Sequence, residues 1–217
     1  MKRKIIRKVW VACGFLAAFV AWTAAVCLVD VQRVGPEGSW VGFARVNGWF
    51  HGLTGVNMAL YYLTDWLSLV PLLLVAGFGL LGLWQWIRRK RLFQVDGSIL
   101  ALGGFYGIVM AAFLLFEVWP VNYRPVLIQG QLEASYPSST TMLVLCVMPT
   151  AIYQFSDRIR NRVWRRWVLV AMGAFTVFMV VARAVSGVHW LTDILGGALL
   201  SAGLIMLYSA VCTAIKK

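Results

Sequence analysis

The stretch VARAVSGVHWLTDILGG (181–197) places Arg183, His189 and Asp193 in one of the most apolar parts of the chain. These side-chain types suit phosphoryl transfer, and His189 is one of only two histidines. His189 and Asp193 are four apart, so on a helix they share a face. A carboxylate so placed holds an imidazole in one tautomer and stabilises its cation, as in the serine-protease triad. Arg183 lies just before them, with Gly187 allowing a sharp turn. Ionisable groups in an apolar span are costly and mark function by default; the alternative is a structural Arg183–Asp193 ion pair beside a bystander histidine. Two other stretches bear on the same chemistry. In Tyr136-Pro137-Ser138-Ser139-Thr140-Thr141 the proline and hydroxyls suit a helix start. Free N–H groups there bind anions, although plain capping would use the same residues. Arg124, in Asn122-Tyr123-Arg124-Pro125, offers a guanidinium that grips phosphate oxygens in a bidentate manner. Together these residues describe a phosphoryl-transfer site in which arginines neutralise the developing charge. No metal or cofactor is expected.

The elements that must position these groups are membrane helices. The chain has 217 residues, 61% hydrophobic and 13% charged, against about 45–50% and about 25% in soluble domains. Six apolar runs near the ~20 residues that span a bilayer lie at about 9–29, 66–87, 98–118, 139–155, 167–185 and 190–212. The first is longer than the apolar region of a secretory signal, so an uncleaved first helix is expected. The net charge of +12 could suggest nucleic acid, but the basic residues cluster between the apolar runs. Sixteen of the twenty Lys and Arg lie in MKRKIIRK, RRKR (88–91), RIRNRVWRR (158–166) and Lys216-Lys217. All four clusters fall on one side of a six-span topology, which places both termini in the cytoplasm. Arg33, Arg45, Arg124 and Arg183 fall on the other side, with most of the acids. The segment SWVGFARVNGWFHGLTG, which contains His51, suits a short helix lying in the interface, where His51 reads as an interfacial polar residue. The four cysteines all lie in the apolar runs and suggest neither disulfides nor a metal. The fold expected is all-α: one membrane-embedded domain over 1–217, a bundle of six transmembrane helices with a short interfacial helix after the first.

The order and spacing of the polar residues resemble the integral membrane branch of the type-2 phosphatidic acid phosphatase (lipid phosphate phosphatase) superfamily. That family shows K-x6-R-P, then P-S-G-H, then S-R-x5-H-x3-D. Here stand Arg124-Pro125, then Pro137-Ser138-Ser139-Thr140, then Ala182-Arg183, five residues, His189, three residues and Asp193. The resemblance covers about residues 60–212. It implies that His189 attacks phosphorus to form a phosphohistidine and that Asp193 orients it. It also implies that Arg124 and Arg183 bind phosphate oxygens, helped by Ser138, the backbone around Ser139, and the Thr140 position. The substrate implied is a membrane lipid phosphate or diphosphate, met on the non-cytoplasmic face of the cell membrane.

Three positions depart from the pattern. Glu117 replaces the motif lysine, Ala182 replaces a serine, and Thr140 replaces the histidine that would protonate the leaving group. A positioned general acid is worth roughly 10²–10⁴-fold. An alcohol's leaving oxygen, akin to water with a pKa of about 15.7, needs that proton. A leaving phosphate monoester, with a second pKa of about 6, does not. Thr140 therefore points to a lipid diphosphate, such as undecaprenyl diphosphate or a similar polyprenyl carrier. Glu117 faces the interface, pairs with Arg124, or, if burial raises its pKa, supplies the missing proton. The competing reading is a relative with impaired or no turnover that binds or moves phospholipids. A six-helix transporter fits less well, because its polar groups would lie near the bilayer midplane and here they lie near one surface.

Overall fold

The computed structural model describes residues 1–215; Lys216 and Lys217, the last of the basic residues counted above, lie outside the described residues. Its α-helices are α1 (Lys2–Leu28), α2 (Ala44–Thr54), α3 (Met58–Leu67), α4 (Leu69–Arg89), α5 (Gly97–Val118), α6 (Ser139–Arg158), α7 (Arg162–Val185) and α8 (Leu191–Ile215). Among the described residues there are isolated bridges but no strand. The all-α expectation holds. Five runs are long and apolar enough to cross a membrane: α1, α3 with α4, α5, α7 and α8. The chain is a multi-pass membrane protein. The run expected at 139–155 forms α6, but α6 is not as apolar as the others. Its Thr140, Thr141, Thr150 and Gln154 are buried, and it packs against α4, α5, α7 and α8. Their polar groups face protein: Thr150 Oγ1 meets the Tyr106 hydroxyl (3.1 Å) and Gln154 Nε2 donates to the Tyr208 hydroxyl (2.6 Å).

The second expected span, 66–87, starts earlier than the sequence suggests. The helix begins at Met58 and is interrupted at Ser68. Pro71 has no N–H for the Leu67 carbonyl and its ring crowds that carbonyl, so the break falls where Pro71 requires it. Asp65, read from sequence as a loop residue, becomes part of helix α3 as a result.

Hydrogen bonds between distant segments define the two ends of the bundle. At one end Lys8 Nζ donates to Ser209 Oγ (2.7 Å) and Thr213 Oγ1 (2.8 Å), which joins the start of α1 to the close of α8. Gly97 lies against Ile215 there. Beside it Arg89 and Arg158 both donate to Asp96, at 3.1 and 3.4 Å. At the other end Trp22 Nε1 donates to the Thr192 carbonyl (3.1 Å), and the hydroxyls of Tyr136 and Thr23 meet at 2.7 Å. The described basic clusters thus gather at one end, and the residues singled out for chemistry at the other. The Tyr136 ring packs on Phe19 and Phe116. It also fills the space where a side chain at Gly196 would stand, so only glycine fits there.

Candidate active site

His189 lies in the short turn between α7 and α8. Gly187 makes that turn with φ +69°, a left-handed value that glycine adopts without strain. A Cβ there would also run into the Gly55 carbonyl oxygen. The turn is closed by Ser186 Oγ donating to the Arg183 carbonyl (2.8 Å) and by the Asn57 N–H donating to the Ser186 carbonyl (2.9 Å). Asp193, in the first turn of α8, accepts from the Trp190 N–H at 2.9 Å. An acid in the third helical position reaching back to the cap N–H is the return half of a capping box. This contact aims Oδ2 at the preceding loop, where it stands 3.7 Å from His189 Nδ1. Asn122 Nδ2 donates to the other carboxylate oxygen at 3.4 Å. The start of α8 is held from α2 as well: Asn47 Oδ1 accepts from the Thr192 N–H (3.3 Å), and its Nδ2 donates to Thr192 Oγ1 (3.0 Å).

Arg124 comes from a hairpin-like loop between α5 and α6. Ser135 N–H donates to the Asn122 carbonyl (2.9 Å) and Arg124 N–H to the Glu133 carbonyl (3.0 Å). Ile128 and Gln131 exchange both bonds across Gln129 and Gly130, whose φ values are +52° and +78°. Two positive-φ residues at the tip suit a tight hairpin. Arg124 and Glu133 are thereby neighbours, and Arg124 Nε lies 3.0 Å from Glu133 Oε2. The Arg124–Glu117 pairing considered from sequence is not formed: Glu117 is exposed at the end of α5, and Glu133 takes that role. Arg183 is buried near the end of α7 and faces α3. Its Nη1 donates to Thr64 Oγ1 (3.1 Å) and the Tyr61 carbonyl (3.4 Å), and its Nη2 stands 3.9 Å from Asp65 Oδ1. The Arg183–Asp193 ion pair considered from sequence is likewise not formed; the acid beside Arg183 is Asp65. Both guanidinium groups lie near the Tyr61 ring, Arg183 at 4.6 Å and Arg124 at 5.7 Å from its centre. That is within cation–π range.

Ser138 caps α6, its Oγ accepting from the Thr141 N–H (3.4 Å), while its own N–H donates to the Asp193 carbonyl (3.1 Å). The starts of α6 and α8 are thus tied together. Ser139 and Thr140, in the first turn of α6, border a cleft of about 350 Å³ that Asp65 also lines. His189 is buried, and among the described residues neither ring nitrogen makes a hydrogen bond of normal geometry, though the Ser135 backbone lies close enough to favour the protonated ring. Burial, then Arg124, then Arg183 hold the His189 pKa well below its ordinary value of 6.5. The imidazole is neutral at pH 7 and has a free lone pair.

His189, Asp193, Arg124 and Arg183 therefore meet at one end of the bundle, with Ser138 joined to them through the backbone and Ser139 and Thr140 on the adjoining cleft. The sequence reading missed Tyr61, Thr64, Asp65, Asn122 and Glu133. Asn122 could have been suspected beside Arg124. The α3 residues carried a weak signal, Tyr61, Thr64 and Asp65 at helical spacing, hidden by the early placement of the loop boundary.

Residues 116–216 match the PAP2 superfamily. No curated protein matches the chain. Among solved structures, a transmembrane PAP2 type phosphatidylglycerolphosphate phosphatase from Bacillus subtilis superposes with a TM-score of 0.64 at 18% identity, over 95% of this chain and 97% of that one. That likeness concerns the fold, and the matched segment contains Arg124, Ser138, Ser139, Thr140, Arg183, His189 and Asp193. Over residues 116–216 this multi-pass membrane protein is thus similar to the PAP2 superfamily, and its fold is like that of a transmembrane PAP2 type phosphatase.

Proposed function

We propose that the protein is a metal-independent lipid phosphatase of the cell membrane that forms a phosphohistidine on His189. The observation that carries this is a buried, neutral imidazole beside a carboxylate and within the field of two guanidinium groups. With Nδ1 turned toward Asp193, Nε2 is the nitrogen free to attack phosphorus. Asp193 then stabilises the imidazolium charge that develops. Arg124 and Arg183 take the phosphoryl oxygens, and the substrate displaces Glu133 and Asp65 from them. Ser138 and the N–H groups of Ser139 and Thr140 complete the anion site. α6 acts as the sixth span. Both termini and the basic clusters face the cytoplasm, which puts the site at the non-cytoplasmic surface, where a lipid head group lies, with α2 along the interface.

The preferred substrate is a lipid diphosphate, most simply a polyprenyl diphosphate such as undecaprenyl diphosphate. The reason is Thr140, which cannot supply the proton a departing alcohol needs. Thr140 also motivates a second reading, a relative with impaired turnover that binds or moves phospholipids. Phosphate release by the detergent-purified protein, with metal removed, separates the two. A polyprenyl diphosphate should be cleaved faster than phosphatidic acid, and His189→Ala should cleave neither. Comparable rates on both lipids would refute the diphosphate preference, and no release from any lipid phosphate would leave the binding protein.

A further inference from the structure

The cleft of about 350 Å³ between α3, α4, α5 and α6 has apolar walls, with Leu72 and Phe113 among them. Its polar lining is almost confined to one region, formed by Asp65, Ser68, Ser139 and Thr140. There it adjoins the proposed phosphate site, because Asp65 Oδ1 is 3.9 Å from Arg183 Nη2. An apolar cleft that ends at phosphate-binding groups suits the lipid part of a lipid phosphate. When a monoester is hydrolysed, that lipid part carries the leaving oxygen, which places this oxygen at the polar end of the cleft. Three of the four polar side chains there are hydroxyls, which are poor acids. Asp65 is the fourth. Its side chain is 57% exposed, stands beside Arg183 and also lines the cleft.

Resting on the phosphohistidine reading, we propose that Asp65 is the general acid and base of this site, doing from α3 what a histidine at position 140 would do from α6. In the first half-reaction the His189 Nε2 lone pair forms an N–P bond and the P–O bond to the lipid breaks. The leaving oxygen takes the proton of the Asp65 carboxyl. In the second, the Asp65 carboxylate removes a proton from water, whose oxygen bonds to phosphorus as the N–P bond breaks. Asp65 ends protonated, His189 ends neutral, and the products are an alcohol and phosphate. A lipid diphosphate releases a phosphate group that departs without a proton, so Asp65 matters little to its first step.

The test compares dodecyl phosphate with dodecyl diphosphate, whose chains are identical, using purified protein in detergent. Asp65→Asn should lower kcat on the monophosphate by about 10²–10⁴-fold and on the diphosphate by less than about tenfold. Asp65→Glu should restore part of the monophosphate rate. Equal losses on both substrates would mean that Asp65 only supports Arg183, and would overturn the proposal. So would no loss on either, or a parent protein that cleaves the diphosphate alone. His189→Ala is the control: if it still cleaves either substrate, or if the parent protein cleaves neither, the phosphohistidine reading fails first, whatever Asp65 does.

Discussion

A histidine works as a nucleophile only when its lone pair is free, and at position 189 burial and two guanidinium groups keep the ring unprotonated. The sign follows directly. Because the pKa is depressed, the proposed nucleophile stays neutral as pH falls through 6.5 and is lost only on further acidification. The acid limb of kcat/KM against pH should therefore lie well below 6.5; a limb at 6.5 would mean that the ring is not so placed. The same shift costs stability in acid. Below pH 6.5 the unfolded chain takes up a proton at position 189 that the folded chain does not, so stability should fall as pH drops, by up to about 1.4 kcal/mol per pH unit for this histidine. His51, half-buried against Trp190, is shifted in the same direction by burial and adds to the slope. Thermal unfolding in detergent at several pH values reads this, and His189→Gln should flatten it. At position 140 the acid argument makes its own prediction. In the Asp65→Asn background, Thr140→His should raise turnover of monophosphates more than of diphosphates, since only the former wait for a proton.

At the scale of elements, the site is assembled where helix starts meet. The starts of α6 and α8 are bonded to each other, α2 holds the start of α8, and α3 carries the Tyr61 ring on which both arginines lie. Asn47 is buried and serves Thr192 at both its N–H and hydroxyl. Asn47→Ala should cost about 1–3 kcal/mol through the polar groups left unpaired, seen as a lower midpoint of thermal unfolding. An unchanged midpoint would remove α2 from the frame of the site. This scale also shows what the sequence could and could not tell. Arg183, His189 and Asp193 were legible because ionisable residues stand out in an apolar run, but the shared helix face expected from their four-residue spacing is not what joins His189 and Asp193: His189 lies in the turn before α8, and Asp193 reaches back to it from the first helical turn. Asp65 and Tyr61 were not, because their partner Arg183 is more than a hundred residues away and no local pattern records that pairing. Glu133 was missed for a different reason. Its pairing with Arg124 depends on a hairpin whose tip, Gln129-Gly130, lacks the Asn-Gly or Asp-Gly that signals such turns most strongly.

For the molecule as a whole, the basic clusters at one end of the bundle and the site at the other repeat the charge bias that orients membrane proteins. Single cysteines at Gln129, on the hairpin tip, and at Phe93, which is 93% exposed in the loop between α4 and α5, should label from opposite sides of intact cells once Cys13, Cys27, Cys146 and Cys212 are replaced. Labelling of both from one side would contradict the topology. The helix count was legible from apolar length for five spans. The run at 139–155 forms α6, which is less apolar than those five because a helix enclosed by other helices gains nothing from being apolar all round; its Thr150 meets the Tyr106 hydroxyl of α5 and its Gln154 the Tyr208 hydroxyl of α8. What unites the scales is the proposed passage of a phosphoryl group through one imidazole. The direct measurement is to quench the protein during turnover of a lipid diphosphate labelled in its terminal phosphate, then locate the protein-bound label. The account predicts an acid-labile phosphoramidate on the peptide containing His189, absent from His189→Ala and chased off in the parent protein by unlabelled substrate. Phosphate release that continues with no label at His189, or a label that persists in His189→Ala, would contradict it.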